Sequence, residues 1–263
     1  MFYNETLTYW YYSKTIKICQ VSLENGSAVD FRFSAVEPLR TLCIIWNMAN
    51  REKIAVGEYY HIYNRGVDKR AIIQDTADAD RFLISLKLFN TKMPVGSLRE
   101  VKDETQKPEK SLVEIVCYVL HQNHFHLLLK EITEGGISEC MKRISGGYTW
   151  YFNNKYKRSG SLFQGRFKSV HIETNEQLLH VSAYINLNDE AHRISGSTAV
   201  KGESSWTEYQ GERGRDICTK EVILEQFKTT KDYIDFAESS IKEILRVKED
   251  KNNVEMLIGK YLF

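Results

Sequence analysis

No Cys-x-x-Cys pair occurs in the 263 residues, and the cysteines, Cys19, Cys43, Cys117, Cys140 and Cys218, are odd in number. That pattern excludes a disulfide framework and a zinc ribbon, and it fits reduced thiols inside a cell. No apolar run of about eighteen residues is present, so no membrane span is expected. The N-terminus lacks the basic region and apolar run of a secretory signal. Cytoplasmic residence with no membrane partner is the expectation. The net charge is only +1, which makes no case for nucleic acid from the chain as a whole. A local absence is more informative: from Lys142 to Lys168 there are seven Lys/Arg and no Asp or Glu, a candidate positive patch. The apolar content of 42% supports a real core, and the length allows one large domain or two small ones.

Three regions follow from composition. Residues 1–53 are rich in Tyr, Thr and Ser without a sustained period, and a second methionine, Met48, sits near their end. They are expected to be an extension, either poorly ordered or read through from a wrong start. Residues 54–192 carry the regular patterns. A strand, rich in aromatic residues, spans Gly57–Arg65 and ends at Gly66. A helix spans Asp75–Asn90, with Phe82, Leu83, Leu86 and Phe89 at helical spacing and acidic residues at its start. Residues 91–111 form a polar connection. A second helix spans Ile137–Tyr156, and its Gly146-Gly147 pair costs about 1 kcal/mol per residue relative to Ala, a sign of close packing. Ser159–Ile172 passes from a loop into a strand. Thr174-x-x-Gln177 has the form of a capping box and opens a third helix reaching about Asn188. Residues 193–263 read as a polar linker followed by helices at 217–227 and 233–247, a helical C-terminal appendage.

The stretch Val113–Lys130 organises the chain. It reads as two strands around a tight connection, and the second contains His124-Phe125-His126. Side chains alternate along a strand. His124 and His126 therefore share one face, while Phe125, Leu127 and Leu129 face a core. Two neutral imidazoles in parallel are the start of a divalent-metal site. His61, in the first strand, reaches the pair if the two strands are neighbours; otherwise it is a packed or DNA-contacting residue.

The order strand–helix–strand–strand–helix–strand predicts an α+β fold. It is the ferredoxin-like (RRM-like) antiparallel sheet with helices on one face. On the third helix, Gln177, His180, Tyr184 and Asn188 fall in one row. Alone, such a row is a solvated polar face. Joined to His124 and His126 it has chemical sense: Asn188 supplies a neutral oxygen ligand and Tyr184 an oxygen nucleophile. A phenol has a pKa near 10, so phenolate leaves phosphorus more readily than an alkoxide does. Two imidazoles and one amide leave positions open for phosphate and water. Oxygen coordination favours magnesium or manganese, and the nitrogens favour manganese, nickel or cobalt in the test tube.

These residues match a known pattern. HFH at 124–126 fits the His-hydrophobic-His (HUH) motif, and SAYINLN at 182–188 resembles the Tyr-x-x-x-Asn helix of single-tyrosine transposases of the insertion-sequence-200-like group. YHIYNRG at 60–66 and GSLFQGRFKS at 160–169 look most like the branch associated with REP hairpins, and SSWTEYQG at 204–211 continues the resemblance weakly. The resemblance implies that His124 and His126 are metal ligands, Asn188 the third ligand and Tyr184 the nucleophile on single-stranded DNA. It also implies a 5′-phosphotyrosine intermediate, a free 3′-hydroxyl and recognition of a hairpin. That branch usually has proline after the Asn, whereas here Asp189 follows, so Asn188 and Asp189 both stand as the third ligand. His180, one turn before Tyr184, is a candidate proton acceptor or a surface histidine.

Within 142–168 the basic residues interleave with aromatics, the composition of a single-strand binding surface. Arg158, Phe163, Arg166 and Lys168, on a loop and strand edge, are the expected DNA contacts, together with Arg65. A nucleic-acid-binding module without cleavage and a metal-dependent hydrolase using activated water are the competing readings. The protein is expected to work as a monomer or homodimer.

Overall fold

Four strands rich in apolar, β-branched and aromatic residues build the centre of the molecule: β1 (Tyr59–Arg65), β2 (Val113–Leu120), β3 (His124–Glu131) and β4 (Lys168–Ile172). A two-residue strand, β5 (Glu203–Ser204), completes a five-stranded sheet of order β4-β1-β3-β2-β5, antiparallel at each pairing. The computed structural model describes residues 53–93, 111–188, 203–212 and 214–249. The chain divides into units Met1–Glu52 and Lys53–Phe263, and all described residues belong to the second. The expected extension 1–53, apart from Lys53, lies outside the described residues, as do Asp189 and most of the linker and tail.

Helices α1 (Thr76–Leu88) and α2 (Gly136–Lys155) cover one face. Asp75 caps α1 by accepting from the Asp78 amide at 3.0 Å, which satisfies one of the first-turn donors. The buried Glu131 carboxylate does the same for α2, accepting from Gly136 and Ile137 amides at 3.0 and 2.7 Å. Their apolar stripes meet Ile62, Ile115, Tyr118, Phe125, Leu127 and Leu129 in one core. Of the glycine pair in α2, Gly147 explains itself: a Cβ there would lie 2.9 Å from the ring of Phe89, whereas one at Gly146 would meet nothing.

The sheet's other face is covered as well. Helix α3 (Asn175–Asn186) lies across it, capped by Thr174 Oγ1, which accepts from the Gln177 amide at 3.1 Å. The Gln177 side chain reaches back to the Glu173 amide at 2.8 Å, one residue beyond the reciprocal contact of a capping box. Two single-turn helices, α4 (Trp206–Tyr209) and α5 (Glu221–Leu224), and the long α6 (Thr230–Glu249) follow. Tyr209, Ile223, Tyr233, Ala237 and Ile241 from these elements join α3 and the strands in a second core. The helix expected at 217–227 is thus reduced to one turn, and the one expected at 233–247 begins earlier.

A bulge in β2 ties the two layers together. The register slips between Ile115 and Cys117, so Ile115 faces the first core while both Val116 and Cys117 face the second. The carbonyl of Val116, freed by the slip, accepts from Tyr209 Oη at 2.9 Å. Ile115 O accepts from the Thr219 amide at 2.8 Å. The segment after α3 is thereby stitched to the edge of β2. Among the described residues no helix is long and apolar enough to cross a membrane.

Candidate active site

Strand β3 places His124 and His126 on the α3 face, half-buried, with Phe125 fully buried on the other. Its neighbour β1 sets Arg65 beside His124 and Tyr63 beside His126, and β4 sets Lys168 beside Tyr63. Residues paired across antiparallel strands project to the same side. The resulting rows are His124–Arg65 and His126–Tyr63–Lys168, with the Lys168 ammonium 5.8 Å from the centre of the Tyr63 ring.

Each imidazole has its Nδ1 engaged. His124 Nδ1 lies 2.6 Å from Asn123 Oδ1, and the Asn123 amide nitrogen donates to Lys69 O at 3.3 Å. His126 Nδ1 lies 2.8 Å from Nε2 of His61, which is 1% exposed. Burial lowers the His61 pKa to about 4, so that ring is neutral at physiological pH. Its Nδ1 is buried without a hydrogen-bond partner.

Helix α3 brings the phenol over this pair. The Tyr184 ring meets His126 edge-on at 6.0 Å between centroids, and Tyr184 is 8% exposed. Burial pushes its pKa upward, and the neighbouring Asn188 amide works in the opposite direction. The hydroxyl is therefore protonated at neutral pH. Asn188, one turn on, is buried, and its Oδ1 lies 2.6 Å from His121 Nε2. His121 in turn stacks on His124, with centroids 4.4 Å apart.

Tyr184, Asn188, His124 and His126 thus converge, as do Arg65 and Lys168 at the edge. His61 and His121 join them. The turn closing the β2–β3 hairpin brings His121 opposite His124, its amide donating to His124 O at 2.8 Å. The run His-Gln-Asn-His-Phe-His carried that signal: a two-residue loop must bring its flanks together. His180 belongs elsewhere, with Nδ1 2.7 Å from Ser240 Oγ and its ring against Phe236 of α6.

Two of the expected DNA contacts lie apart from the histidines. Phe163 is 3% exposed and packs edge-on to Phe125 in the first core, so it offers no face to a base. A loop was expected to leave it outside, but pairing of Phe163 with Gly66 pulls it in. Arg158 lies at the end of α2, with Nη1 2.9 Å from Asn153 Oδ1 and its guanidinium over Phe152, on the opposite layer from the histidines. Arg166 is exposed on the loop whose Gln164 Oε1 accepts from Arg65 Nε. Gly66 makes this junction possible, since a Cβ there would fall 2.2 Å from Arg70 O.

The donor set fits a divalent cation. Among the described residues no three His, Cys, Asp or Glu side chains cluster to hold a metal. Of those residues Asn188 offers an oxygen beside the two imidazoles, and that oxygen has a second lone pair beyond the one facing His121. Asp189 lies outside the described residues.

The model of the family described as "Transposase IS200 like" matches residues 44–188, more than half of the chain, and the chain belongs to that family. No curated protein matches it. Solved structures resemble it only distantly. A REP-associated tyrosine transposase bound to a REP hairpin is 16% identical, with 64% of this chain and 86% of that one covered and a TM-score of 0.38. A bacterial tRNA(His) guanylyltransferase-like protein in complex with ATP is 10% identical, with 75% and 76% covered and a TM-score of 0.33. Family membership rests on the match over 44–188.

Proposed function

We propose that this transposase-family chain cleaves and rejoins single-stranded DNA next to a hairpin, with Tyr184 as nucleophile. The observation that supports it most is the phenol of Tyr184 seated edge-on against His126 with Asn188 beside it. In the step proposed, Tyr184 Oη attacks a backbone phosphorus and the bond to the 3′ oxygen breaks. The phenol gives up its proton, and the departing oxygen takes one up to become a 3′-hydroxyl. The product is a 5′-phosphotyrosine. Attack by a 3′-hydroxyl reverses the step with no external energy, because phenolate is a good leaving group.

His124, His126 and Asn188 would hold magnesium or manganese. When bound, the cation would polarise the non-bridging oxygens of the phosphate. Arg65, Arg166 and Lys168 would track the phosphates flanking the cut, so binding should weaken steeply with salt. Monomer and homodimer are both compatible with this chemistry.

A labelled hairpin-flanked single strand incubated with the protein and manganese tests the proposal. Cleavage should appear with wild type and fall on the order of a thousandfold or more in Tyr184→Phe. Binding without cleavage by wild type would favour a binding module. Cleavage that survives Tyr184→Phe would favour hydrolysis by activated water.

A further inference from the structure

We infer that His61 is a positioning residue for the reaction: its Nε2 accepts the Nδ1 proton of His126, which leaves the Nε2 lone pair of His126 for a metal. The inference rests on the nuclease reading for the metal, and on the 2.8 Å His61–His126 contact for the tautomer.

Across a contact between two imidazole nitrogens, one donates and the other accepts. If His61 donated, the His126 proton would sit on Nε2 and that ring could not bind a metal through it. If His126 donates, its Nε2 is a ligand. The neighbouring ring shows which state the site is built for. Asn123 is oriented by its own donation to Lys69 O, which turns its Oδ1 toward His124 Nδ1. His124 therefore carries its proton on Nδ1 and its lone pair on Nε2. The same tautomer at His126 gives two like ligands from one strand face, and His61 is the acceptor in contact that can impose it.

His61 Nδ1 is buried without a partner, whichever ring donates across the contact. In the inferred arrangement that atom carries the proton, and a buried N–H without an acceptor costs stability that metal binding at His126 would offset. Ligating histidines generally donate their second N–H to an acceptor, and loss of the acceptor lowers metal affinity roughly 10–100-fold.

The test reads tautomer and metal binding separately. Long-range 15N–1H correlations on metal-free, 15N-histidine-labelled wild type should show the His126 proton on Nδ1. His61→Phe, which fills the space without an acceptor, should move that proton to Nε2 and weaken Mn2+ binding about 10–100-fold. His61→Gln, which puts an oxygen near the place of Nε2, should restore much of the affinity. Wild type with the His126 proton on Nε2 overturns the inference, and needs no variant to fold. Unchanged Mn2+ affinity in a folded His61→Phe also overturns it. A wild type that binds no Mn2+ while keeping the Nδ1 proton breaks the metal reading instead, and reduces His61 to a hydrogen-bond partner.

Discussion

On the α1/α2 face of the sheet, Phe125 meets Phe82 at 5.2 Å and Phe163 at 5.8 Å, and Phe82 meets Tyr148 at 5.1 Å. On the α3 face the same strand presents His124 and His126, and the residues around them are His61, His121, Tyr184 and Asn188. The first face is apolar, and the buried hydroxyl of Tyr148 has a partner there, Ile72 O at 2.6 Å. The second face gathers imidazoles, a phenol and an amide where the first packs rings, and His61 Nδ1 there is buried without a partner. Titratable and polar side chains brought together in place of apolar packing mark the layer built for chemistry.

That contrast can be broken by substitution. The largest stability effect should come from the apolar face: Phe125→Ala removes a fully buried ring and should cost about 3–5 kcal/mol in urea unfolding. His124→Ala, at the adjacent position but half-buried, should cost far less while abolishing cleavage. Equal losses of stability from the two would mean that the faces do not divide their roles in this way.

The glycine pair of α2 sharpens the packing side of the comparison. Gly147→Ala sets a Cβ against the Phe89 ring and should lower stability by about 1 kcal/mol or more despite the gain in helix propensity. Gly146→Ala meets no neighbour and should raise it by up to about 1 kcal/mol. A stabilising Gly147→Ala would show that Phe89 yields without strain.

The smallest effect concerns the exposed end of the same layer. Lys155 lies 2.7 Å from Asp75 and from Asp78, tying the start of α1 to the end of α2. The hydrogen bond from Lys155 holds the Asp75 carboxyl below its ordinary 3.8. A depressed carboxylate contributes stability above its unfolded pKa and loses it as pH falls through the folded one. Asp75→Asn keeps the cap and removes the charge. It should lower the melting temperature slightly at pH 7, and the difference from wild type should begin to shrink near pH 3.8 and vanish only once the pH falls through the lower folded-state value. A gap that persists in acid would point to a lost cap and not a lost ion pair.

Legibility in the sequence followed regularity. Strand β3 alternates without interruption, so the shared face of His124 and His126 could be read from spacing. The helical spacing on α1 likewise placed its core residues. Strand β2 could not be read that way, because the bulge at Val116 puts two successive side chains on one face. His121 sits in a turn, where no period assigns a direction. Helix α3 is buried on nearly all sides from Val181 to Asn188, so a row that looked like a polar stripe is divided between the active site and α6. Strand β5 is two residues long and carries no pattern. The loop containing Phe163 and Arg166 sends one inward and the other outward, a choice made by pairing at Gly66 and not by local composition.

The central claim is a phenol acting directly on DNA, and peptide mapping of the trapped complex tests it most directly. Wild type incubated with manganese and a hairpin-flanked single strand, then digested with trypsin, should carry the 5′-phosphate-linked DNA on the peptide of residues 169–193, at Tyr184. Tyr184→Phe should yield no adduct. DNA attached at another tyrosine, or cleavage with no covalent intermediate in wild type, would contradict the account.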